Sequence, residues 1–168
     1  MNNRVLAIIV LFSTLISGCL SNSQKSEFSF AQFNAEQGNV VSFQIEMNDS
    51  TATYDVYLYM RYNYHYDQSK LPATITVTSP SGLKGSETLQ LEGNLANIKK
   101  YIAEQEEQGA QLVMQLSESS EYYDTKALYR SNIRPVEYGL WKIELYIPNI
   151  ENVIGAGIET ITIPEKEQ

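Results

Sequence analysis

Apolar and polar residues alternate with a period of two over most of the chain, and nowhere for longer than between Thr53 and Asp67. There the even positions are Tyr54, Val56, Leu58, Met60, Tyr62, Tyr64 and Tyr66. The odd ones are Asp55, Tyr57, Tyr59, Arg61, Asn63, His65 and Asp67. A strand points successive side chains to opposite faces. The pattern predicts one long strand, its even face on a core and its odd face toward water or a partner. A second alternation, with Val41, Phe43, Ile45 and Met47 apolar, predicts a half-buried strand just before it. Asn48, Asp49, Ser50 and Thr51 between the two have turn chemistry, so a hairpin is expected.

The same reading extends along the chain. Phe28, Phe30 and Phe33 would be costly to leave in water and are expected to open the folded body. Pro72 is expected in a loop, followed by a strand from Ala73 to Ser79 in which Ile75 and Val77 alternate with threonines. Ser79, Pro80, Ser81 and Gly82 form a turn, and Glu87 to Leu91 a short strand. One helix interrupts the alternation: Asn94 caps it, Leu95, Ile98, Tyr101 and Ile102 make its apolar stripe, and Gly109 can end it. Glu104, Glu106 and Glu107 oppose the helix dipole near its C-terminus. The helix is expected to lie as a crossover on the rim of a sheet, before a returning strand over 110–116.

Residues 117–134 are polar and weakly patterned, and are expected to be a long connection or edge segment that serves as a functional loop. Tyr138 to Ile147 is a strong strand with Trp141, Ile143, Leu145 and Ile147 on one face, closed by Pro148. Gly155, Ala156 and Gly157 read as a flexible turn, and Ile158 to Ile163 as a last strand with Ile161 and Ile163 inward. Seven or eight short strands with this punctuation predict an all-β antiparallel sandwich, jelly-roll or immunoglobulin-like, with one inserted helix.

Composition refines this picture at the N-terminus. With 168 residues, 43% hydrophobic and 19% charged, the chain can bury one ordinary core. Arg4 followed by the apolar run Val5 to Ile16 is too short to cross a bilayer comfortably and reads as a secretory signal. It ends Leu15-Ile16-Ser17-Gly18-Cys19, which resembles a bacterial lipobox. That resemblance implies cleavage after Gly18 and lipidation of Cys19, with palmitate among the acyl chains. Several acyl chains, at about 0.8 kcal/mol per buried methylene, hold a protein stably on a membrane. Cys19 is the only cysteine, so a mature domain lipidated there has no free thiol. The expected organisation is a signal peptide over 1–18, a polar tether over 19–27, a β-sandwich over 28–164 and a charged tail over 165–168. Lipoproteins kept at the inner membrane often carry aspartate after the cysteine. Leu20 stands there instead, and no acidic export run follows, which points to the outer membrane and a periplasm-facing position.

The formal charge of −8 suits solubility and argues against nucleic acid as a partner. His65 is the one histidine, and with Asp55 and Asp67 it only sketches a metal site, since no second histidine or further cysteine completes a transition-metal shell. A solvent-facing histidine is the plainer reading. No G-x-S-x-G elbow, P-loop, dinucleotide fingerprint or calcium loop occurs, so no catalytic residue, metal or cofactor is assigned. Tyr57 and Tyr59 beside Arg61 form the candidate interaction face, with Tyr122, Tyr123 and Tyr129 in the long connection. Exposed tyrosine next to arginine suits protein contacts or sugar stacking. The same residues would instead be core if the helix packed over that sheet.

The chain resembles the gliding-motility lipoproteins of the GldH type. The residues that carry the resemblance are the lipobox Leu15 to Cys19, the stretch Val40 to Ile45, and Tyr54 to Tyr66 with its arginine inside a tyrosine-rich segment. Thr76 to Gly82, Tyr138 to Leu145 and Gly157-Ile158 resemble the family's later strands. The helix near Asn94 and the long connection after it depart from the simpler family pattern. The resemblance implies a non-enzymatic outer-membrane component of gliding motility and the linked type IX secretion pathway, in contact with other envelope proteins. In such hosts Asp49-Ser50-Thr51 also resembles an O-glycosylation acceptor. A cell-surface glycan-binding lipoprotein is the alternative.

Overall fold

The structure, a computed structural model, describes residues 24–108 and 114–165. Cys19, the expected signal peptide, Gly109 and the expected start of the returning strand lie outside the described residues. Among the described residues nine strands form two antiparallel sheets packed face to face, joined by one α-helix and a short 3-10 turn at Ala35–Gln37. The strands are β1 (Lys25–Gln32), β2 (Val40–Met47), β3 (Thr53–Asn63), β4 (Lys70–Thr78), β5 (Lys84–Glu92), β6 (Met114–Glu118), β7 (Tyr122–Ile133), β8 (Gly139–Tyr146) and β9 (Val153–Ile163). The helix α1 (Leu95–Glu107) separates β5 from β6. One sheet has the order β1-β9-β3-β7-β6, the other β2-β8-β4-β5.

The predicted sandwich is thus the observed architecture, and β3 lies at its centre. Tyr54, Val56, Leu58, Met60 and Tyr62 are all buried, facing Phe43, Ile45, Ile75, Ile143 and Leu145 of the other sheet. Each such side chain contributes on the order of 1.5–3 kcal/mol when it leaves water. The helix is capped as expected, the Asn94 side chain accepting from Asn97 N at 3.0 Å. Ile98 is fully buried, and α1 contacts β6, so it closes the flank between the sheets instead of covering an outer face.

Four expectations change. β2 does not form a hairpin with β3: it pairs with β8 in the opposite sheet, so residues 48–52 carry the chain across the sandwich. Alternation assigns a face, not a neighbour, and both strands needed the same core from opposite sides. Residues 117–134 are not a loop: β7 fills most of them and lies between β3 and β6. Its polar side chains find ionic partners on the outer face, which removes the apolar alternation that would have marked it. Gly155 and Gly157 are not a turn but lie buried within β9. Finally, Ile158 and Thr160 face the core, while Ile161 pairs with Asp55 on the outer face. Cross-strand partners share a face, and Ile158 sits opposite the inward Leu58. A bulge between Arg61 and Tyr62 shifts the phase of β9, so Val153 and Ala156 both point inward.

Two smaller differences concern boundaries. β1 starts at Lys25, taking in three residues read as tether, through a full ladder with β9. Pro72 sits within β4, at a point where that strand pairs only with β5. No ladder donor is lost toward β8 there.

Candidate functional site

The outer face of the five-stranded sheet brings the predicted Tyr57, Tyr59 and Arg61 together with residues the sequence reading did not connect to them. Register decides the grouping: Tyr59 lies between Lys126 and Gly157, and Arg61 between Asp124 and Gly155. Arg61 holds Asp124 by two parallel bonds, Nε to Oδ1 at 2.7 Å and Nη2 to Oδ2 at 2.8 Å. Its guanidinium stacks over Tyr122 at 4.0 Å and Phe30 at 5.0 Å. The bidentate carboxylate raises the affinity of Arg61 for its proton.

A second ionic group lies beside it. Lys126 and Glu159 pair at 2.5 Å with only 20% and 14% of their side chains exposed. Glu159 also accepts from Tyr59 at 2.7 Å and Ser26 at 2.6 Å. Burial alone would push the Glu159 carboxyl up, but bonds from Lys126, Ser26 and Tyr59 outweigh it and hold it below its ordinary value. Burial and the Glu159 carboxylate both push the Tyr59 hydroxyl up. Lys126 lies over the rings of Tyr57 and Tyr59 at 4.4 and 5.5 Å.

Glycine completes the face. A Cβ on Gly155 would fall 2.6 Å from both Ala31 O and Phe30 Cζ, and one on Gly157 2.8 Å from Ser29 O and 3.0 Å from Phe28 Cε2. Bare backbone in β9 lets the rings of β1 lie across it and reach β3: Phe28 meets Tyr59 edge-on at 4.8 Å. The resulting surface is aromatic and half-buried, its charges already paired, and Phe28 is its most exposed ring at 56%. It offers flat contact area with few dangling charges, which is what a protein partner desolvates most cheaply.

A cavity of about 330 Å³ opens between the sheets at the pole where β1 begins. Ile45, Met47, Val56, Trp141 and Ile143 line it, with Arg130 and Arg134 among its neighbours. It lies where β7 bulges against β3, at the register shifts around Val56. Arg130 is engaged by Glu87, and the Tyr129 hydroxyl bonds the same carboxylate. These two donors, Tyr129 first, hold Glu87 below its ordinary value.

The other sequence candidates are scattered. His65 is exposed in the turn after β3, its N–H donating to Asn63 Oδ1 at 2.9 Å. Asp55 points to the outer face and accepts from Asn132 N at 2.8 Å, so it does not meet His65. Among the described residues no group of three or more His, Cys, Asp or Glu side chains converges as a metal site. Tyr123 is not a surface residue: it is buried and stacks on Tyr62 at 5.1 Å. Asp49 and Thr51 are exposed in the crossing, the Thr51 hydroxyl donating to Asp49 at 2.7 Å. Asp124, Lys126 and Glu159 were legible only as polar residues, since nothing local showed that β7 and β9 flank β3.

Comparison with known families gives one result that bears on this face. Residues 25–146, from the start of β1 to the end of β8, match the family model described as GldH lipoprotein. No individual curated protein matches the chain.

Proposed function

The chain belongs to the GldH lipoprotein family, and from that premise we propose that it is a non-enzymatic accessory of gliding motility and the linked type IX secretion pathway. It is lipid-anchored through Cys19 at the outer membrane, facing the periplasm, and binds other envelope proteins through the outer face of the five-stranded sheet. The family match carries the reading. The geometry supports it in one respect: Arg61, Asp124, Lys126 and Glu159 satisfy one another, leaving rings and aliphatic stems as the contact surface. Among the described residues no helix is long and apolar enough to cross a membrane.

The test is genetic and chemical together. Deleting the gene is expected to abolish spreading on agar and lower secretion. A chromosomal Tyr57→Ala/Tyr59→Ala variant is expected to lose cross-links to envelope neighbours while remaining folded and labelled by palmitate. Normal spreading of the deletion strain removes the motility role. Binding of a polysaccharide panel that depends on the two tyrosines would favour the glycan reading instead.

A further inference from the structure

Five segments meet at the pole where β1 begins: the first residues of β1, the crossing 48–52, the β4–β5 turn, the 134–138 loop and the end of β9. Lys25 pairs with Thr162, Thr53 with Ile163, and Met47 with Gly139, which fixes them at one end. Four large apolar side chains stand in water there: Leu83 at 71%, Val136 at 89%, Tyr138 at 53% and Leu140 at 52% exposure. They are mounted on a braced ridge. Ser81 donates from both its N–H and its hydroxyl to the Glu137 carboxylate, at 2.9 and 2.8 Å, and the Trp141 indole donates to Glu137 O at 3.1 Å. Several charges at this pole are paired: Lys25 with Glu27 and Arg134 with Glu165, while Asp49 accepts from Thr51.

A cluster of exposed apolar side chains on a rigid support marks a surface that another phase or molecule covers. The tether says which. Six residue steps separate Cys19 from Lys25, a reach of at most about 20 Å. A chain anchored at Cys19 therefore carries this pole nearest to its point of attachment on the bilayer. We propose that the pole docks on the membrane surface, with Leu83, Val136, Tyr138 and Leu140 entering the interface; this rests on the lipid-anchor reading above. Tyr138 has the amphipathic ring suited to headgroup depth. The patch is too small to bind a membrane unaided, but the anchor holds it at high local concentration. Docking stands β3 on end, so the Tyr57–Tyr59–Arg61 face opens sideways, where envelope partners approach along the membrane.

The test uses the full lipidated protein in phosphatidylcholine–phosphatidylethanolamine vesicles. Acylation consumes Cys19, so a polarity-sensitive dye reacts only with an introduced thiol, at Val136→Cys or, at the opposite pole, His65→Cys. The expected result is a blue-shifted emission at position 136, quenched severalfold more by nitroxide lipid than the dye at position 65, and unchanged by salt. Adding Leu83→Glu is expected to reverse the shift while flotation persists. Equal access of aqueous iodide to both dyes in floated vesicles overturns the docking and leaves the anchor intact. A shielded dye that lipid does not quench means that protein covers the patch, and also overturns it. Failure of the chain to float overturns anchor and docking together.

Discussion

β3 carries tyrosines on both faces, and the two sets are held in different ways. On the inner face Tyr62 is fully buried and donates to Glu92 O at 3.0 Å; Tyr123 stacks on it and donates to Gly93 O at 3.0 Å. Burial pushes both hydroxyls well above the ordinary tyrosine range, so they act as fixed donors to backbone carbonyls. On the outer face Tyr57 and Tyr59 keep part of their rings in water and engage a lysine and a carboxylate. One residue type thus fastens a junction where it meets backbone and builds a contact surface where it meets charge. Satisfied backbone bonds at buried positions carry stability, while half-exposed ionic bonds carry shape.

That contrast sets an order of effects. Tyr62→Ala is expected to cost about 3–5 kcal/mol, because it opens a cavity and orphans Glu92 O; urea denaturation of the purified protein checks it. Gly155→Ala lies on the outer face yet ranks next, at about 1–3 kcal/mol, because its Cβ meets the Ala31 carbonyl. Hydrogen exchange should show the loss concentrated in β1. Tyr62→Phe is expected to cost on the order of 1 kcal/mol by leaving a buried carbonyl without its donor. Tyr59→Phe should fall below about 0.5 kcal/mol, since water can replace the hydroxyl. A Tyr59→Phe cost equal to that of Tyr62→Phe would erase the distinction between the faces.

The smallest effect is a pH dependence. Glu159 is held below its ordinary value of 4.5, so the folded state keeps its carboxylate ionised where the unfolded chain would protonate it. Its contribution is fully present above that ordinary value and is lost as pH falls through the lower folded one. Glu159→Gln is therefore expected to lower stability at neutral pH and to flatten the acid limb of the stability profile. Thermal melts between neutral and acid pH read this directly.

The strands whose apolar residues alternate cleanly, β2, β3 and β8, were readable with their correct inward faces, as was α1 with its Asn94 cap. β7 was not, because its outward Asp124 and Lys126 have partners only on other strands. β9 misled in two ways. Its glycines look like a turn until Phe28 and Phe30 are seen to occupy the space they leave. Its Ile161 and Ile163 also lie opposite the outward Asp55 and Thr53, a phase fixed by the ladder with β3 that no local pattern reveals. Of the candidate site, Tyr57, Tyr59 and Arg61 were visible as one face of one strand, whereas the residues that saturate their charges come from β1, β7 and β9.

By itself the sequence determined the strand grammar, the sandwich class, the helix after Asn94 and the likeness of the run ending at Cys19 to a lipobox, because each is written in residues close along the chain. Only the tertiary structure decided that β2 and β3 belong to opposite sheets, that β7 and β9 enclose β3, and that the exposed apolar ridge shares a pole with β1. The physical reason is that a period of two fixes which way a side chain points. Which strand lies alongside is settled by long-range ladders between residues as far apart as Lys25 and Thr162, chosen because together they bury one common core.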